Sequence, residues 1–151
     1  MNIMRADACR YMALHAFGGI YADLDVSLKR PFPQCSGLCV GYEYSGNNPT
    51  LANFAMSATR ENGCLMRAVS LCCQRLKSVK MNFTEDPHLV HNSCGPHTLT
   101  EAASGCADIM SHTELTTHVH HHIASNHWKT GYPSWIVERM KRAKWSHVYQ
   151  H

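Results

Sequence analysis

The stretch Gly18–Val26, GGIYADLDV, decides the fold that this sequence predicts. Its apolar residues alternate with polar ones, which is the period of a β-strand that buries one face. The other face carries Asp23 and Asp25, which are two residues apart and therefore point the same way. Because like charges so close repel each other unless a cation lies between them, the pair predicts a site for Mn²⁺ or Mg²⁺ held through oxygen. A solvated strand end with two acidic residues is the alternative interpretation.

A helix is predicted directly before this strand, over residues 4–15, and Gly18-Gly19 supply its stop and a tight turn. Asp7 and Arg10 are three residues apart and share one face of that helix. A surface ion pair is one interpretation. The other is a ligand site, in which an arginine contacts phosphates and a carboxylate accepts hydrogen bonds from sugar hydroxyls. The apolar stripe of the helix is predicted to be Met4, Ala8, Tyr11 and Met12.

These segments carry a family resemblance. Residues 3–11 and 18–26 give an Asp-x-x-Arg-Tyr helix, a Gly-Gly turn and a D-x-D strand in a fixed order. That order resembles the sugar-binding DXD glycosyltransferases, and most closely glycosyltransferase family thirty-two, which includes the outer-chain-initiating and inositol-phosphoceramide mannosyltransferases. Residues 93–100 resemble the T-G-P-x-x-L-T element of the family, and residues 126–135 resemble its H-x-W-x-x-S-W-like ending. The resemblance spans residues 3–135.

The resemblance implies an α/β fold of the GT-A type, with a Rossmann-like mixed sheet flanked by helices. It also implies that the N-terminal nucleotide-binding strands are missing, because the helix of Asp7 begins almost at Met1. Residues 1–151 would then form a single glycosyltransferase DXD domain, the C-terminal portion of such a fold. Two expectations follow, an active enzyme or a truncated, inactive homologue that is a binding module or a non-functional fragment.

For an enzyme, the resemblance implies metal-dependent transfer of a hexose, with retention, from a nucleotide-diphosphate sugar to a hydroxyl acceptor. GDP-mannose is the favoured donor and a UDP-sugar the alternative; the acceptor would be a glycan or glycolipid. The catalytic residues would be Asp23 and Asp25. The metal ligands would be Asp25, Asp23 and His127. The substrate-binding residues would be Asp7, Arg10, Tyr21, Ser134 and Trp135.

The composition limits the classes of partner that we expect this chain to bind. The 151 residues carry a net charge of +3 and no long basic run before the C-terminus, so nucleic-acid binding is not expected. No apolar run reaches the length of a membrane span, and the first residues show no signal-peptide pattern. Members of the family typically reside in Golgi or endoplasmic reticulum membranes through an N-terminal helix, and this sequence shows no such anchor or targeting segment.

The eight cysteines and twelve histidines leave a lesser alternative open, a zinc-binding module. Cys35 and Cys39 are separated by three residues, and four histidines cluster within residues 118–122. Zinc modules combine C-x-x-C or H-x-x-x-H pairs in register with one another, and no such set of pairs is present. Disulfides are also possible, with a pairing that the sequence cannot give. Elsewhere a strand is predicted over Leu38–Tyr42, and helices over 51–59 and 64–80.

Overall fold

The computed structural model describes residues 2–44, 46–78 and 89–121. Almost all of them belong to one compact unit, Met1–His120, and His121 is the first residue of a second unit, His121–His151. The single domain expected over the whole chain stays a prediction.

The described residues form helices and strands in the following order: α1 (Asn2–Phe17), β1 (Gly19–Ala22), β2 (Val26–Leu28), β3 (Leu38–Tyr42), β4 (Leu51–Ala58), α2 (Gly63–Ser78), α3 (Leu89–Ser93), α4 (Pro96–Ala103), β5 (Ala107–Met110), α5 (His112–His118) and β6 (Val119–His121).

Within the described residues, the strands form a four-stranded sheet in the order β1-β4-β3-β5 and a two-stranded sheet of β2 and β6. Strand β4 is antiparallel to both of its neighbours, whereas β3 and β5 are parallel. Strands β4 and β3 are the two inner strands of the larger sheet, and all eight residues of β4 are buried.

Helices pack on both faces of this sheet. The larger core cluster joins residues of α1, α2 and α4 to Leu38 and Val40 of β3. Cys39, between them on the same strand, belongs to a second cluster that includes Leu115 of α5. The alternation follows from the strand period, because successive side chains point to opposite faces. The predicted fold class, a mixed sheet flanked by helices, is confirmed, and so are the predicted elements α1, β3 and α2.

The turn between α1 and β1 is as short as predicted. The Gly18 N–H donates to the Leu14 carbonyl over 2.8 Å and closes the helix. Gly18 and Gly19 adopt φ values of +66° and +93°, which L side chains rarely adopt. A Cβ at Gly18 would also lie 2.9 Å from the backbone nitrogen of Arg60. Glycine here therefore lets α1 lead directly into β1, the strand that precedes Asp23.

Two predicted elements are wrong. The helix expected over 51–59 is strand β4, whose residues are buried on both faces and so lack the alternation that identifies a half-buried strand. The strand expected over residues 20–26 ends at Ala22, and the next three residues form a turn. Ile20 and Leu24, expected on its buried face, are exposed. Of the helices in the described part of the chain, none is long and apolar enough to cross a membrane.

Candidate active site at the end of strand β1

The face of α1 that packs on the sheet carries two charged residues. Asp7 is 4% exposed and Arg10 is 8% exposed, and both lie on the same side of the helix as Met4 and Leu14. The surface ion pair considered from the sequence is therefore wrong, and so is the predicted stripe at Met12, which is exposed. Because charged side chains are rarely buried without partners, this face points to a specific polar arrangement.

Arg10 joins two acidic residues to the central strand. Its Nη2 lies 3.0 Å from Asp7 Oδ1, and its Nη1 lies 3.2 Å from Asp23 Oδ1. Nη1 also donates to the main-chain carbonyl of Asn53 on β4 over 2.8 Å. We refer to Asp7, Arg10 and Asp23 as the arginine cluster. It links α1, the end of β1 and β4 through one guanidinium group, and Nε is its one buried side-chain atom without a hydrogen-bond partner among the described residues.

Asn53 holds the far side of the arginine cluster. Its Nδ2 donates to Asp7 Oδ1 over 3.0 Å and to the Tyr11 hydroxyl over 3.3 Å. The fully buried Tyr11 hydroxyl in turn donates to the Cys94 carbonyl over 2.9 Å. Gly95 follows as the N-cap of α4, with Pro96 in the first helical position. The segment 93–100, noted in the sequence for its family resemblance, therefore lies directly behind the cluster.

Tyr21 and Asp23 form the solvent side of the site. The Tyr21 hydroxyl donates to Asp23 Oδ1 over 2.6 Å. The Arg10 guanidinium lies 5.0 Å from the centroid of the Tyr21 ring, within the range of a cation–π contact. The Asp23 side chain is 27% exposed, so it is the member of the arginine cluster that a ligand can reach most easily.

Burial and pairing shift the ionisation of these groups. Burial raises the pKa of Asp7 to about 6, and the neighbouring Arg10 only partly offsets that rise. Burial lowers the pKa of Arg10, but Asp7 and Asp23 outweigh it, so its pKa rises overall and the group stays charged. Burial and the hydrogen bond to Asp23 raise the pKa of Tyr21, which is therefore a neutral donor. The site thus holds one permanent cation between two carboxyls.

Asp23, Leu24 and Asp25 turn the chain at the end of β1. The Asp23 N–H donates to the Phe54 carbonyl over 2.8 Å, and the Val26 N–H donates back to the Asp23 carbonyl over 3.0 Å. Leu24 projects fully into solvent, and Asp25 is half-buried. The expectation that both carboxylates extend from one face of a strand is wrong, since they belong to a turn. The carboxylate of Asp23 points toward the guanidinium group of Arg10.

The Asp23 carboxylate is already engaged by its neighbours. Arg10 Nη1 lies within 3.3 Å of both oxygens of Asp23, and Tyr21 donates to one of them. Hard cations take carboxylate oxygen, phosphate oxygen and water, which Asp25 and a diphosphate would supply together. Over residues 2–44, 46–78 and 89–121, no three His, Cys, Asp or Glu side chains are grouped closely enough to hold a metal. The same finding gives no support to a zinc module.

The structure brings most of the predicted site together. Asp7, Arg10, Tyr21 and Asp23 contact one another, and Asp25 follows in the turn. The remaining predicted residues, His127, Ser134 and Trp135, lie outside the described residues. Sequence reasoning placed Tyr11 in the apolar stripe of the helix, and it did not include Asn53 among the site residues. One signal for Asn53 was available, an amide in an otherwise apolar run, because a buried polar side chain needs partners.

Comparisons with known proteins agree with this geometry. Residues 1–45 match the sequence model of a family described as "Glycosyltransferase sugar-binding region containing DXD motif". Among solved structures, the fold is similar to "PaToxG Glycosyltransferase", at 23% identity and a TM-score of 0.56, over 66% of this chain and 34% of that one. The chain thus spans about a third of that protein's length. A search of curated proteins found no match. The chain therefore carries a glycosyltransferase-like DXD region in a fold seen in a glycosyltransferase.

Proposed function

We propose that this chain binds a nucleotide-diphosphate sugar at the end of β1 and transfers its hexose to a hydroxyl acceptor. The arginine cluster is the observation that supports this most directly, because it fixes Asp23 beside a turn that presents a second carboxylate, Asp25. Buried ionic groups are costly, and we infer that this chain retains the arginine cluster because it positions Asp23. A ligand rich in hydroxyls and phosphates matches both the carboxylates and the neutral Tyr21 donor.

The proposed roles follow from the exposure of each group. Asp25 holds Mn²⁺ or Mg²⁺, which when bound neutralises charge on the diphosphate leaving group. Asp23 accepts hydrogen bonds from sugar or ribose hydroxyls, and Tyr21 lines the pocket beside it. Asp7 and Arg10 contribute to donor binding mainly by orienting Asp23, since little of either side chain is exposed. On the family resemblance, His127 would add a metal contact, and Ser134 and Trp135 would contact the diphosphate.

The finer assignment rests on the same resemblance. GDP-mannose is the proposed donor and a UDP-sugar the alternative, with transfer that retains the anomeric configuration. The proposed acceptor is a glycan or glycolipid, and the proposed compartment is the Golgi or endoplasmic reticulum. Electrostatic stabilisation of the departing diphosphate would carry most of the rate enhancement.

Calorimetric titration with GDP and UDP, each with and without Mn²⁺, tests donor binding. We expect Mn²⁺-dependent binding of one nucleotide, and its base identifies the donor class. Asp25→Asn should abolish the Mn²⁺-dependent part while the protein still folds, because it replaces a metal-binding carboxylate oxygen with an amide nitrogen. Asp108→Asn, the same change on exposed strand β5, is the matched control and should bind as wild type does. Equal binding by Asp25→Asn and wild type would contradict the metal role.

A second function, donor binding without transfer, is favoured by one observation. The charges of the arginine cluster are paired with one another. They therefore stabilise the local structure and provide no free acid or base for catalysis. Incubation with radiolabelled GDP-mannose and UDP-glucose, followed by separation of free sugar, nucleotide and product, distinguishes the two functions. Release of GDP or UDP under conditions of proven binding supports transfer or hydrolysis. Binding with no release supports a binding module.

A further inference from the structure

The Tyr11 hydroxyl lies behind the arginine cluster, and its direction is fixed. Its oxygen lies 2.9 Å from the carbonyl oxygen of Cys94 and 3.4 Å from that of Gly95. Main-chain carbonyls only accept hydrogen bonds, so the single hydroxyl proton of Tyr11 must point at them. Burial raises the pKa of Tyr11 well above its usual value, so the hydroxyl keeps this proton. On its other side, the hydroxyl oxygen can therefore only accept.

The group that donates to this oxygen is the side-chain amide of Asn53. Its Nδ2 lies 3.3 Å from the Tyr11 hydroxyl oxygen and 3.0 Å from Asp7 Oδ1. An asparagine amide has an acceptor on one side and a donor on the other, and a half-turn about its last side-chain bond exchanges the two. Because the Tyr11 oxygen can only accept, it keeps the NH₂ side of the amide toward Asp7. Asp7 Oδ1 thus receives donors from both Asn53 and Arg10.

The carbonyl that accepts from Tyr11 belongs to a turn that is itself held in place. Cys94 is fully buried and lies between α3 and α4. Its N–H donates to the Val90 carbonyl over 3.2 Å. Two residues earlier, the Asn92 carbonyl accepts from Arg75 Nη1 of α2 over 2.7 Å. The hydrogen bonds of Tyr11 therefore connect this turn to the buried side of the arginine cluster.

We propose that Tyr11 is a positioning residue, whose hydroxyl orients the Asn53 amide and through it the carboxyl of Asp7. Asp7 pairs with Arg10, which in turn holds Asp23 beyond the end of β1. Tyr11 is fully buried and acts only through the groups that it holds. The effect on ligand binding rests on the proposed function, whereas the orientation of the amide does not.

The competing interpretation is that Tyr11 is an ordinary core residue whose hydroxyl has the partners that any buried hydroxyl needs. Such a hydroxyl would contribute to the free energy of unfolding and to nothing else. The positioning role is favoured because Asn53 contacts Tyr11 and Asp7 through the same nitrogen. Asn53 also accepts from Arg10 through its main-chain carbonyl over 2.8 Å, so this one residue contacts both buried charges of α1.

Nuclear magnetic resonance of the full chain tests the orientation of the amide without a ligand. We expect a Tyr11 hydroxyl proton that exchanges slowly with solvent, and nuclear Overhauser contacts between the Asn53 NH₂ protons and the Tyr11 ring. In Tyr11→Phe the Asn53 NH₂ protons should exchange faster, because they lose an acceptor. NH₂ protons that lie away from the Tyr11 ring in wild type, or that exchange equally fast in the two proteins, overturn the proposal.

Calorimetry with Mn²⁺ and whichever of GDP or UDP binds tests the effect on the site. Tyr11→Phe should weaken binding about threefold to tenfold, the range expected for one lost hydrogen bond. In an Asn53→Ala background the same substitution should have no further effect, because the group through which Tyr11 acts is gone. Asn53→Ala keeps the main-chain carbonyl that accepts from Arg10. Equal binding by Tyr11→Phe and wild type, or additive losses in the double variant, overturns the positioning role.

Tyr44→Phe is the matched control. The Tyr44 hydroxyl also donates to a main-chain carbonyl, that of Asn48 over 2.6 Å, but on the surface and outside the arginine cluster. This variant should bind nucleotide as wild type does. If wild type binds neither nucleotide, the proposed function fails, and the spectra of the free protein alone decide the role of Tyr11. Should Tyr11→Phe not fold, the wild-type contacts between the Asn53 NH₂ protons and the Tyr11 ring decide it.

Discussion

At the scale of single residues, burial turns an ordinary helix pair into a site. An exposed i,i+3 ion pair contributes well under 1 kcal/mol as a rule. Arg10 is instead bonded to two carboxyls and a main-chain carbonyl, so its removal strands Asp7 and Asp23 without a counter-charge. The residue therefore matters to the fold as well as to the ligand.

The double variant Arg10→Met/Asp7→Asn measures this coupling. We expect Arg10→Met alone to lower the free energy of unfolding by about 3 kcal/mol, because a buried charge loses its partner. Adding Asp7→Asn removes that stranded charge and should restore about 1 kcal/mol or more. Urea unfolding of wild type, both single variants and the double variant checks the prediction. Additive losses would show that the two side chains do not interact.

The raised pKa of Asp7 predicts that the stability of the protein depends on pH. Its pKa is raised from 3.8 to about 6 in the folded protein, so the folded state binds the proton more tightly than the unfolded chain does. The free energy of unfolding should therefore rise, relative to Asp7→Asn, as the pH falls from about 6 to about 4, by up to about 3 kcal/mol. Urea unfolding of both proteins at several pH values checks this. Parallel curves would mean that Asp7 titrates normally.

The sequence predicted which residues come together at the end of β1 but not how deeply they are buried. Asp7, Arg10, Tyr21 and Asp23 were identified from their spacing and resemblance, and they do meet. Their burial could not be predicted, because charged residues are placed on the outside of a helix by default. What makes their burial tolerable is Asn53, which is distant in sequence and becomes a partner only through folding.

At the scale of secondary-structure elements, the sequence predicted correctly those elements that bury only one apolar face. α2 has one apolar face, and its position was predicted to within two residues. β4 is buried on both faces and contains helix-favouring alanine and methionine, so local preference pointed the wrong way and the tertiary environment prevailed. The turn at Asp23–Asp25 was missed because alternation continued through it in the sequence.

The packing of α5 on β3 gives a test at this scale. A Cβ at Gly41 would lie 2.7 Å from the Cβ of Leu115, closer than packed atoms allow. We expect Gly41→Ala to cost about 1–3 kcal/mol and Leu115→Ala to relieve part of that cost in the double variant. Gly37→Ala is the matched control, since its nearest neighbour would be the Asn62 amide nitrogen at 3.9 Å. Thermal unfolding compares wild type, Gly41→Ala, Leu115→Ala, their double variant and Gly37→Ala, and equal losses at both glycines would contradict the contact.

At the scale of the whole molecule, the Cys64–Cys106 bridge constrains the chain most. The cysteines are 42 positions apart, so the bond shortens a long loop in the unfolded state. Chain entropy alone gives a stabilisation of about 4 kcal/mol for such a loop. Cys64→Ala/Cys106→Ala should lower the unfolding free energy by about that amount. Urea unfolding without reductant measures the loss, and Cys9→Ser/Cys73→Ser is the control. A loss equal to that of the control would contradict a stabilising bridge.

The central position of β4 has a consequence for local motion. Arg10 donates to the carbonyl of Asn53, and Asp23 to that of Phe54, so the arginine cluster is attached to a strand that is paired on both sides. Amide hydrogens of such a strand exchange with solvent only when the whole domain opens, whereas those of an exposed turn exchange within local fluctuations. The buried side of the arginine cluster is thus as durable as the core, whereas the turn at Leu24 is exposed. On the proposed function, a ligand would meet the exposed turn first, above charged groups that the central sheet keeps in place.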